Sequence, residues 1–154
     1  MKRNLLLALA LLAGCSKDSS GPSVDFPALP ENLLSAFCVQ TGGATVGQTK
    51  TGTLSAGDCD AGDSYYEIWR VRVAQSTSVT FDANSGFDNY LEVARLNSYT
   101  SSSANITMLG ENDDRATGNF NALLTVTLEP GIDYFVVVSG YDYSETGSYS
   151  LRIR

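Results

Sequence analysis

The stretch "LEPGIDYFVVVSG", Leu128 to Gly140, decides how the rest of the chain is read. Along a strand, successive side chains point to opposite faces, so Tyr134, Val136 and Val138 share one face. Phe135 and Val137 make the other face apolar too, which marks a central strand rather than one with a wet side.

The same period of two runs outward from it in both directions. Tyr65 to Val73 sets Trp69, Val71 and Val73 against Ile68, Arg70 and Arg72, which predicts one face on a core and one facing water. Val79 and Phe81 alternate, as do Leu91 and Val93 in "NYLEVARL", and Ile106 and Met108 in "NITML". Leu124, Val126 and Leu128 form one face of "LLTVTL", and Tyr149, Leu151 and Ile153 one face of "GSYSLRIR". With a short run at Thr51 to Leu54 this makes about eight strands, which predicts an all-β, two-sheet antiparallel β-sandwich of jelly-roll type. Trp69 belongs to its core, and "NSYTSSSAN" reads as a mobile loop. Helical periodicity is weak throughout, with at most a short turn near Glu31 to Phe37.

The N-terminus has a different character. Lys2 and Arg3 precede the apolar run Leu5 to Ala13, which is shorter than the ~20 residues a membrane-crossing helix needs, so it reads as an export signal. It ends in Leu12-Ala13-Gly14-Cys15, which resembles the lipobox of bacterial lipoproteins. The resemblance implies a signal peptide over residues 1–14, acylation of Cys15, and anchoring in the cell envelope. Ser16, where an Asp would favour the inner membrane, implies the outer one. Residues 15–37, with Pro22, Pro27 and Pro30 among Ser, Gly and Asp, read as a flexible tether, and 38–154 as the folded domain.

The formal net charge is −7, and loss of Lys2 and Arg3 with the signal would make it more negative. Such a surface repels phosphate backbones and anionic head groups, which argues against nucleic acid and against electrostatic membrane docking as partners. With Cys15 lipidated, Cys38 and Cys59 remain as an even pair in an oxidising compartment, a disulfide worth ~3 kcal/mol.

Four stretches carry a family likeness: "DNYLEV" (Asp88 to Val93), "ENDDR" (Glu111 to Arg115), "LEPGIDYFVVVSG" and "GSYSLRI" (Gly147 to Ile153). In this order they resemble the motifs of the bacterial pre-peptidase C-terminal domain, over roughly Thr51 to Arg154. The resemblance implies a β-sandwich of the kind appended to secreted proteases, where it assists secretion, processing or substrate attachment. Some collagenase relatives bind calcium and collagen. Here the domain follows a lipid anchor and no peptidase is attached, a departure from the family pattern that weakens a protease-associated role and leaves association with a protease open.

The chain has no histidine, so a Ser/His/Asp or Cys/His relay has no imidazole to move the proton. Lys50 reads as a solvated surface residue. Asp113 and Asp114, adjacent in sequence, point apart if extended and are wet if in a turn, which suits a carboxylate-pair hydrolase poorly. Calcium accepts several oxygens from carboxylates and loops, and Glu111, Asn112, Asp113 and Asp114, joined by Asp88, are its candidate ligands. The competing reading is an ordinary acidic turn in which Arg115 neutralises Asp113 or Asp114. "DCDAGD", Asp58 to Asp63, lacks the glycine and glutamate that an EF-hand loop requires and reads as a turn. Tyr141 and Tyr143, flanking Asp142, either stack on a sugar or a partner side chain or cover the sandwich edge.

The expectation is a lipid-anchored envelope protein whose sandwich is a non-catalytic binding module for protein or glycan, with calcium as the candidate stabilising ion. The alternatives are a structural envelope lipoprotein without a soluble ligand and, less favoured, a hydrolase. The oligomeric state is not readable.

Overall fold

The structure is a computed structural model and describes residues 24–40, 43–100 and 103–154. Cys15 and the segment read as an export signal lie outside the described residues. Among the described residues there is one short helix, α1 (Glu31–Ala36), and nine strands: β1 (Thr49–Leu54), β2 (Cys59–Asp60), β3 (Tyr65–Val71), β4 (Thr77–Ser85), β5 (Asn89–Tyr99), β6 (Ala104–Asn112), β7 (Leu123–Leu128), β8 (Tyr134–Gly140) and β9 (Gly147–Ile153). All strand pairs are antiparallel, in a four-stranded sheet ordered β1-β9-β4-β7 and a five-stranded sheet ordered β2-β3-β8-β5-β6.

The expected sandwich is present, with β8 bonded on both sides, to β3 and β5. The alternating residues do what their period predicts: Trp69, Val71, Val79, Phe81, Leu91, Val93, Tyr134, Val136, Val138, Tyr149, Leu151 and Ile153 fill one core between the sheets. The additional strand is β2, only two residues long and too short to show a period. β5 and β6 run on as a hairpin to Tyr99 and from Ala104, so most of the expected Ser-rich loop is strand.

A second cluster lies outside the sandwich. Leu29, Leu33 and Val39 pack on Ile68, Leu96 and Phe135, on the outer face of the five-stranded sheet. Residues 24–37, expected as part of a flexible tether, are therefore docked, and Leu33 is 1% exposed. Three further contacts hold the segment down. Val39 forms a parallel bridge with Ile68, Arg72 donates to the Asp25 carbonyl, and Cys38 is joined to Cys59 with the Cα atoms 5.8 Å apart. The outer face of β3 is correspondingly not wet: Ile68 and Arg70 are buried, and the Arg70 guanidinium forks onto Asp133 at 2.6 and 2.9 Å. Such a bidentate pair satisfies the buried cation and fixes its geometry. Among the described residues no helix is long and apolar enough to cross a membrane.

Candidate calcium site and outer-sheet groove

β6 stays extended through Asn112, and this decides which of the acidic candidates meet. Glu111 is still in register, opposite Glu92, and so belongs to the sheet. Asn112 is used locally, its Oδ1 accepting from Leu123 N at 2.9 Å. Only past the strand end do Asp113 and Asp114 swing toward Asp88, which sits just before β5. Carboxylate oxygens of these three lie within 4.8 Å of one another. Glu111 thus stays with the sheet and Asn112 Oδ1 is engaged locally, and the carboxylates that converge are those of Asp88, Asp113 and Asp114.

Arg115 does not neutralise them. Its Nη2 bonds Asp82 Oδ1 at 2.5 Å and the Ala83 carbonyl at 3.0 Å, and its Nε the Asn121 carbonyl at 3.2 Å. Asp88 Oδ1 and Asp113 Oδ1 are buried and have no hydrogen-bond partner. Burial is the main reason both carboxyls are pushed above their ordinary range. Repulsion adds to it, from Asp113, Asp114, Glu145 and Asp142 on Asp88 and from Asp114 on Asp113. A hard divalent cation that takes oxygen ligands answers both defects at once, the orphaned oxygens and the like charges. The loop that carries Glu145 is tied to the cluster, because Asp88 N donates to Glu145 Oε2 at 2.9 Å and Tyr141 N to the Asp88 carbonyl at 3.0 Å. A hollow of about 600 Å³ opens beside Asp88, bordered by Phe87, Phe120 and Glu145, and gives an ion access.

The "DCDAGD" run is the expected turn. Asp58 Oδ2 accepts from Ser55 N at 2.7 Å and Asp60 Oδ1 from Gly62 N at 2.7 Å. Tyr143 donates to Asp60 Oδ1 at 2.6 Å and packs on Tyr65 with ring centres 5.1 Å apart, which makes it an edge cover. Tyr141 is 59% exposed and borders a groove. Lys50, read as solvated, holds its ammonium 5.5 Å over the Trp69 ring.

That groove, about 690 Å³, occupies the half of the outer sheet that α1 leaves bare. Its shape follows from register. Tyr66, Ser139 and Tyr90 form one cross-strand row, and Ile68, Val137 and Glu92 the next. Short side chains on β8 between tyrosines on β3 and β5 make a trough. Asp63 and Glu92 line it, and Glu111 lies beside Glu92 on β6. Burial, with Glu111 and Asp63 adding repulsion, pushes the Glu92 carboxyl up. Tyr90, half-buried and hydrogen-bonded to Glu111, is pushed up to about 12. Sequence reading missed Tyr66, Tyr90 and Glu92, because only cross-strand register brings them together.

No protein-family model matches the sequence, and no curated protein matches it. Among solved structures, the fold is like that of the pre-peptidase C-terminal domain of a collagenase from Bacillus anthracis, with 18% identity, 72% of this chain and 91% of that chain covered, and a TM-score of 0.50. Two others are a periplasmic inhibitor of g-type lysozyme, PliG, from Aeromonas hydrophila (10% identity, 70% and 83% covered, TM-score 0.41) and the surface-associated copper-binding protein CorA of Methylomicrobium album (10%, 75% and 98%, 0.48). At these identities the likeness concerns fold, and the latter two bear on neither function nor site.

Proposed function

We propose that this chain carries a relative of the pre-peptidase C-terminal domain, anchored by a lipid on Cys15 at the cell envelope, with the outer membrane favoured by Ser16. Its sandwich is a non-catalytic module that binds protein or glycan. The observation that carries the binding reading is the tyrosine-walled groove on the outer sheet, a concave surface with a few polar groups of the kind that ligands occupy. Calcium is held by Asp88, Asp113 and Asp114 and stiffens the loop end of the sandwich beside Tyr141. A chain without histidine supports a binding role over acyl-transfer chemistry.

The test is an array of peptides and glycans probed with the detergent-solubilised full-length protein. Saturable capture that Tyr90→Ala weakens is expected. An array without any saturable ligand would favour a purely structural envelope role. Intact mass should show acyl chains on Cys15, and Cys15→Ser should release the protein from the membrane fraction.

One observation favours a second reading, a glycoside hydrolase: Glu92, with its raised pKa, stands opposite Glu111 across the β5–β6 pair. Turnover of glycoside substrates that Glu92→Gln abolishes would establish it in place of the non-catalytic role.

A further inference from the structure

We infer that the groove receives a basic segment of a partner polypeptide, an arginine or lysine side chain of which lies between Tyr66 and Tyr90 with its charge toward Glu92. This rests on the reading of the sandwich as a binding module and names the class of its ligand.

The backbone under the groove has nothing to offer a ligand. β8 is hydrogen-bonded along both edges, so an incoming chain cannot add as a strand and must be recognised by side chains. The groove-lining side chains are aromatic, aliphatic, small or acidic, and none is basic. The nearest cation along β3, Arg70, is one cross-strand row away, buried and committed to Asp133 at 2.6 Å. It cannot serve Glu92 without abandoning a buried partner. Glu92 is therefore a half-buried carboxylate in the trough, with the exposed carboxylates of Asp63 at its rim and Glu111 on the neighbouring strand adding like charge.

This arrangement discriminates between ligand classes. A neutral sugar would take Glu92 further from water and supply no counter-charge, so the burial penalty would grow. A guanidinium or ammonium supplies the missing charge, and the faces of Tyr66 and Tyr90 attract it in addition. The trough floor from Val137 to Gly140 spans roughly 10 Å, the reach of about three extended residues. The bound element is therefore a short segment, stopped at one end by the docked N-terminal segment and at the other by Tyr141.

The test is a fluorescence titration of the detergent-solubilised full-length protein. The probes are a labelled peptide of alternating arginine and glycine, the same peptide with citrulline for arginine, and neutral oligosaccharides. The arginine peptide should bind saturably and the citrulline peptide about tenfold more weakly or worse. Glu92→Gln should lower the affinity by about tenfold, the effect of removing one partner of a desolvated charge pair. Glu129→Gln, which removes the same charge from the turn at the other end of β8, should leave the affinity within about twofold, as expected for a screened distant charge. A thermal melt confirms that each variant is folded. Equal binding of the two peptides, or equal losses in the two variants, would reduce the effect to general attraction by an acidic protein and overturn the proposal. Saturable binding of the oligosaccharides instead would overturn the basic-segment claim and leave the binding module standing. Binding of neither probe class would remove both.

Discussion

Arg115 Nη2 bonds Asp82 Oδ1 at 2.5 Å, two strands into the four-stranded sheet, although Asp113 and Asp114 precede it in sequence. The reason is the company Asp82 keeps. It is buried, takes a second cation from Arg154 at 3.2 Å, and lies where Arg115 also reaches the Ala83 and Asn121 carbonyls. A buried carboxylate with carbonyl acceptors around it engages a guanidinium through several donors at once. The carboxylates at the turn are left to another cation.

Arg115→Ala should therefore act on stability rather than on metal binding. It leaves the buried Asp82 with the exposed Arg154 and the Asn84 amide as its remaining partners, at a cost of about 2–3 kcal/mol. Arg115→Lys should recover only part of this, because an ammonium cannot reach the same set of acceptors. Denaturant unfolding measures both, and calcium affinity should stay near the wild-type value.

The acidic cluster should respond to calcium by mass action. At a hundredfold excess over the dissociation constant, calcium should stabilise the fold by about 2.7 kcal/mol. Asp113→Asn should abolish that gain while leaving the metal-free protein at least as stable as wild type, since it removes one of the repelling charges. Calorimetry and melts with calcium or chelator report this; no heat and no shift at millimolar calcium would exclude the site.

The docked N-terminal segment makes its own prediction. Leu33→Ala opens the second cluster and should cost about 2–4 kcal/mol. Replacing Cys38 and Cys59 together by Ser should cost about 3 kcal/mol. In both variants hydrogen exchange should quicken over residues 29–39 before it does in β8. Unchanged exchange there would return the segment to the status of a tether.

That segment also shows where sequence reading stops. Antiparallel strands with one buried face announce themselves by alternation, which made most of β3 to β9 legible; β6 alternates as well, although its Ile106 and Met108 are exposed. Leu29, Leu33 and Phe37 are spaced four apart, but the run is short and lies among prolines and polar residues, too little to announce a docked helix. The docking site they need, Ile68 and Phe135, is assembled from two strands far apart in sequence. The apolar second face of β8 was the legible trace of that cover. At the acidic turn, the convergence of Asp88 with Asp113 and Asp114 could be anticipated from loops at one end of a sandwich. The placement of Glu111 in the sheet could not, because it depends on β6 continuing to Asn112, three residues past the run "NITML". The partner of Arg115 is likewise set by tertiary burial rather than by proximity in sequence.

The central claim is that the outer-sheet groove is kept for a ligand and not for the fold, and the melting temperature of Glu92→Gln across pH tests it most directly. Burial first, then Glu111 and Asp63, raise the Glu92 pKa above its ordinary 4.5, so the folded state holds the proton more tightly than the unfolded one. The ionised carboxylate therefore destabilises the fold above its raised pKa, and that burden fades as pH falls through it. The account predicts that Glu92→Gln melts higher than wild type at pH 7 and that the difference closes on acidification toward 4.5. A variant that melts lower at pH 7 would make Glu92 a structural group and contradict the account.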